Sequence, residues 1–148
     1  MLKFIVALTM LALTGCQATP VASTQPVDFM FPTDKHHAKE AIIATFLQAQ
    51  YQIVRDSDFQ LVLDRPAQDS FAAQLLFGSR FNGVPNARVM LTFLGDNPTT
   101  VNARMMVVTN PGSGFEQTTD ITNNGDARAS VGRGMSKALE LASAARKS

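Results

Sequence analysis

The hydrophobic period of this chain changes twice, and those two changes bound the folds open to it. From Lys35 the segment KHHAKEAIIATFLQAQ holds neither Gly nor Pro. Within it Ala38, Ala41, Ile42, Thr45, Phe46 and Ala49 recur at the spacing of one helix face. From Tyr51 the period becomes two. Tyr51 and Ile53 start the pattern, and Phe59, Leu61 and Leu63 continue it. The runs Phe71-Ala73-Leu75-Phe77, Val89-Leu91-Phe93 and Val101-Ala103-Met105-Val107 follow, then a weaker Phe115-Gln117-Thr119. Such alternation is the mark of strands with one buried face. Past Asn123 the helical spacing returns in Val131, Met135, Ala138, Leu139, Ala142 and Ala145.

The breaks between these runs are turn chemistry. Asp56-Ser57-Asp58, Arg65-Pro66, Gly95-Asp96-Asn97-Pro98 and Asn110-Pro111-Gly112-Ser113-Gly114 are each too short for a crossover helix, so neighbouring strands must run antiparallel. The predicted fold class is α+β: an antiparallel meander of five or six strands, with an N-terminal and a C-terminal helix packed on one face. Thr33 or Asp34 is the expected N-cap of the first helix. Gly132 and Gly134 either permit a close approach or delay the start of the last helix. The five phenylalanines Phe59, Phe71, Phe77, Phe93 and Phe115 are expected to fill the space between helices and sheet. In element order, and in the turn from helix into Tyr51-Gln52-Ile53, the layout resembles small helix-grip domains. Those of the C lipoprotein subunit of the outer-membrane barrel-assembly machine are an example.

The N-terminus reads as an address. Met1-Leu2-Lys3 carries one positive charge, and the ten residues Phe4 to Leu13 contain only Thr9 as a polar side chain. Ten helical residues span roughly 15 Å, about half a bilayer core, which fits a secretory signal and not a membrane-spanning helix. Leu13-Thr14-Gly15-Cys16 resembles the lipobox of bacterial lipoproteins. The resemblance implies cleavage between Gly15 and Cys16, a diacylglyceryl group on the Cys16 thiol, and acylation of the new amino group. Gln17 stands where the sorting pattern of such lipoproteins places Asp for inner-membrane retention. The expected location is therefore the periplasmic face of the outer membrane. Two or more acyl chains hold a protein stably to a bilayer where one does not.

This gives three segments: a signal peptide over 1–15, a lipidated tether over 16–32, and one domain over 33–148. The tether QATPVASTQPVDFMFP is too rich in Pro, Thr and Ser for a helix or a central strand. Its closing Phe29-Met30-Phe31 suits a segment pinned to the domain better than a free docking peptide. Across 148 residues Lys and Arg number 13, Asp and Glu 12, which gives no electrostatic ground for a nucleic-acid partner. The single Cys excludes an internal disulfide.

Chemistry-bearing residues are sparse. His36 and His37 are the only histidines, adjacent in the first helix, with Asp34 and Glu40 nearby. This is ordinary helix-start composition, and no metal is expected. Ser70, Ser79 and Ser113 sit in turn-like stretches outside any nucleophile-elbow motif. Asp56, Asp58 and Asp64 read as turn residues. Gly112-Ser113-Gly114 and Gly132-Arg133-Gly134 extend into no dinucleotide or phosphate-loop fingerprint, although Gly-Arg-Gly near a helix start could contact an anion. No catalytic residue and no cofactor is expected.

The second face of the predicted sheet is less polar than a solvated face should be. Val62, Leu76, Met90, Leu94, Met106 and Val108 lie there among Gln60, Gln74, Arg88, Thr92, Asn102 and Arg104. These six apolar residues form a candidate partner face. The sequence thus predicts a non-enzymatic lipoprotein that binds an envelope protein or supports an envelope assembly. The alternative is a carrier or sensor of a hydrophobic envelope ligand held between helix and sheet.

Overall fold

The structure, a computed structural model, describes residues 24–67 and 84–145. Cys16, the signal segment, and the expected strand at Phe71–Phe77 with Leu76, Ser70 and Ser79 lie outside the described residues. The elements are β1 (Val27–Phe31), α1 (Lys35–Gln48), β2 (Gln52–Asp56), β3 (Gln60–Pro66), β4 (Asn86–Leu94), β5 (Thr99–Thr109), β6 (Gln117–Asp120) and α2 (Gly125–Ala145). The class is α+β, with an antiparallel six-stranded sheet among the described residues and a helix toward each end of the chain.

The sheet order is β1-β5-β4-β3-β2, with β6 also on β5. β5 spans eleven residues, long enough for two short strands to share one edge. β1 takes its first half, Phe31 opposite Thr99 and Val27 opposite Ala103, and β6 takes its second half, Met106 opposite Asp120. Two features differ from the simple meander. β3 and β4 are direct neighbours, Leu61 opposite Leu91, so no strand lies between them. And residues 27–31, expected in the tether, form β1. As an outer strand paired only with β5, it tolerates the Pro residues on either side. Phe31 is fully buried and Phe29 packs on the core, whereas Met30 faces outward.

Asp34 caps α1, its side-chain oxygen accepting from the His37 N–H at 3.0 Å. α1 ends at Gln48, and Gln50 takes a left-handed turn (φ 63°) that drops the chain into β2. The core lies between one sheet face and both helices. Leu61, Leu63, Val89, Leu91, Phe93, Val101, Ala103 and Met105 meet Ala38, Ile42, Phe46, Val131, Met135, Ala138 and Ala142. Two of the five phenylalanines assigned to this space do not enter it. Phe59 is 65% exposed at the turn before β3, where the Lys35 ammonium lies 4.5 Å from its ring, and Phe115 is 82% exposed in the β5–β6 loop. Each sits one residue or more outside the strand that would have aimed it inward.

α2 starts at Gly125, capped by the Asn124 side chain on Ala127 N–H, well before Gly134. Gly132-Arg133-Gly134 is consequently helix interior and not a helix N-terminus, which removes the basis for an anion contact by its backbone.

Candidate functional site

The inward-facing residues of β4 grow along the strand: Ala87, Val89, Leu91, Phe93. Toward the Phe93 end, Phe31, Ile42 and Leu61 fill the interface. At the Ala87 end the opposing positions on α2 are Ala127 and Ser130, and α1 has already ended. Small residues on both sides cannot close the gap, so a cleft of about 730 Å3 opens between the first half of α2 and the sheet. Val89, Met105, Ile121, Ala127 and Val131 give it an apolar floor, and Tyr51, Arg65, Asp126 and Arg133 stand around it.

Arg65 continues the inward row begun by Leu61 and Leu63, so a guanidinium stands where a third apolar residue would complete the core. It lies 5.0 Å from the Tyr51 ring and has no carboxylate partner among the described residues. Arg133, exposed on α2, makes no hydrogen bond or ion pair among the described residues. Tyr51 is 8% exposed, packed edge-on against Phe46 at 5.2 Å, and its hydroxyl makes no hydrogen bond among the described residues. Burial pushes that phenol above its ordinary value, and the Arg65 charge works against the rise.

The third arginine at the cleft is occupied. Arg88 holds Asp64 with two parallel hydrogen bonds, 2.7 Å from Nε and 2.8 Å from Nη2, and donates to Glu116 at 2.9 Å. Its pKa is raised, first through the Asp64 hydrogen bonds. Glu116 accepts from the Gly112 N–H at 2.9 Å, which together with Arg88 holds its carboxyl below the usual range. This network ties the β5–β6 loop to β3 and β4 on the sheet face turned away from the helices.

The other residues singled out in the sequence do not converge. His37 Nδ1 pairs with Asp34 at 2.7 Å, and His36 Nδ1 with Glu40 at 3.4 Å, so each ring has its own carboxylate. No group of three possible metal ligands occurs among the described residues. Asp56 binds Lys39 at 2.8 Å on the helix side of the sheet, while Asp64 points to the other face. The Ser113 hydroxyl donates to Asn110 O and accepts from Phe115 N–H, which is turn chemistry.

The candidate partner face is not one exposed patch. Val62 and Val108 are buried, Met90 and Met106 are half-buried, and Leu94 is exposed. The cross-strand rows put Met90 beside Arg104, and Met106 between Arg88 and Asp120, so charges interrupt the apolar residues.

Tyr51 and Arg65 are not among the sequence candidates, and Arg133 is there only within Gly132-Arg133-Gly134 as a possible anion contact. The available signals were the size gradient along β4 and an Arg in step with Leu61 and Leu63. No family model, no curated protein and no solved structure matches this chain. Among the described residues no helix is long and apolar enough to cross a membrane.

Proposed function

We propose that this protein is a lipoprotein, anchored through lipid on Cys16 to the periplasmic face of the outer membrane. Its folded body is a non-enzymatic binding module that holds a hydrophobic envelope molecule as carrier or sensor. The observation that carries the reading is the cleft between α2 and the sheet, at about 730 Å3. Pockets of roughly 300–1,000 Å3 take one small ligand. Its apolar floor and polar margin suit a molecule with a greasy part and a wet part. Among the described residues around it no nucleophile is paired with a base, which favours holding over converting.

The test is native mass spectrometry of the full-length protein released from the cell envelope. A bound small amphiphile is expected on the wild type and lost from Ala127→Phe, whose ring fills the cleft. Bare protein in both samples overturns the reading.

A second reading, a module for an envelope protein partner, has its own support. All five residues of β2 are exposed, Ile53 and Val54 among them, and no strand among the described residues pairs with its outer edge. An open edge is a template for an added strand.

A further inference from the structure

The chemistry of the ligand follows from which charges at the cleft are already satisfied. Arg88 is neutralised by Asp64 and Glu116. Among the described residues neither Arg65 nor Arg133 has a carboxylate partner, and the carboxylate at the rim is Asp126, exposed in the first turn of α2. There the positive end of the helix dipole already favours a negative charge. Among the described residues, two guanidinium groups without a carboxylate partner against one carboxylate make the cleft margin cationic, above a floor of Val89, Met105, Ile121, Ala127 and Val131.

The placement of Arg65 is the informative part. An apolar side chain at that inward position would extend the core and shrink the cleft. Instead the guanidinium is held partly away from water, stacked on Tyr51, with a weak 3.5 Å donation to Ala49 O as its only hydrogen bond among the described residues. A guanidinium with open donors takes an anion through charge-assisted hydrogen bonds. Cationic groups at the mouth and hydrocarbon below define an amphiphile with its head outward.

Resting on the ligand-binding reading above, we infer that the cleft selects a single-chain amphiphile with one anionic head group, the head held by Arg65 and Arg133 and the chain lying along the half-buried Ala87, Ile121 and Ala127, over the buried Val89, Met105 and Val131.

The protein carries its own reporter. It has no Trp and one Tyr, and that Tyr lines the cleft. Tyr51 fluorescence, backed by calorimetry, is titrated in the full mature chain 16–148 carrying Cys16→Ser, which needs no detergent. The ligands are decanoate, decanol, decyltrimethylammonium and butyrate, each below its micellar range. Decanoate is expected to bind saturably and more tightly than decanol, with decyltrimethylammonium and butyrate weakest. Arg133→Gln is expected to weaken decanoate by roughly fivefold while leaving decanol unchanged. Ala127→Phe is expected to abolish both. Equal binding of decanoate and decanol, or an unchanged ratio in Arg133→Gln, overturns the head-group inference and leaves the cleft reading standing. Binding of neither chain to the wild type, by either method, overturns both. Decanoate binding that survives in folded Ala127→Phe places the ligand elsewhere and also overturns both.

Discussion

The backbone of Gly134 on α2 lies directly against the ring of Phe46 on α1. A methyl group built there would sit 3.1 Å from the ring's Cζ. Gly132, two residues earlier, faces open space. Both are helix-interior glycines, so Ala relieves a similar conformational cost of about 1 kcal/mol at each. At Gly134 the gain is opposed by the buried Phe46, itself wedged against Tyr51. Gly132→Ala is expected to raise Tm, and Gly134→Ala to raise it less or lower it. Equal gains at both positions in thermal unfolding contradict the close approach.

The cleft is a gap that the protein has the means to fill. Ala127→Leu adds apolar area facing Ala87 and Val89, and burial of that area stabilises by up to about 1 kcal/mol. The expected result is a protein more resistant to urea that has lost its ligand. A variant that is stabilised and still binds removes the link between the undersized residues and function.

The ion network fixes the direction of the acid response. The Glu116 carboxyl is held below its ordinary value, first by the Gly112 N–H and then by Arg88, and Asp34 is held low by the His37 backbone and ring. A carboxylate with a depressed folded pKa contributes stability that is fully present above its unfolded value and disappears as pH falls through the folded value. Stability is therefore expected to stay level from pH 7 to about 5 and to decline below about 4.5, with a shallower decline in Glu116→Gln. Arg88→Ala leaves Asp64 nearly buried without its partner and is expected to cost about 2–3 kcal/mol at neutral pH. Urea unfolding across pH reads both. An acid slope unaltered in Glu116→Gln contradicts the assignment.

The open edge of β2 separates the two functional readings. Ile53→Lys and Val54→Lys change exposed side chains, so stability should move by less than about 0.5 kcal/mol. If a partner strand adds to β2, crosslinking in intact cells loses a protein adduct in these variants. An adduct pattern identical to wild type removes that reading and leaves ligand binding alone.

Much of the fold was legible from the sequence because periodicity reports burial directly. The alternation of Leu61 with Leu63, and of Val101, Ala103 and Met105, named the inward sheet face residue by residue. The spacing of Val131, Met135, Ala138 and Ala142 did the same for α2. β1 was less legible. Its inward Phe29 and Phe31 alternate with Met30 over too few residues, between prolines that point to a tether. Phe59 and Phe115 show the opposite failure, since aromatic character suggested burial while their turn positions decided exposure. The cleft was the least legible feature. A gap arises where facing residues are jointly too small, and that is a property of pairs such as Ala87 with Ala127 across the interface, which a linear pattern does not display.

A cleft for envelope amphiphiles has to work beside a bilayer, and lipid on Cys16 is what would hold it there. The most direct test is intact-mass analysis of the mature protein isolated from the cell envelope, compared with a Cys16→Ala variant. The expected result is a chain beginning at Cys16 whose excess mass corresponds to a diacylglyceryl group and an amide-linked acyl chain, with the variant lacking that mass and leaving the membrane fraction. A wild-type chain recovered from the soluble periplasm with an unmodified thiol would contradict it.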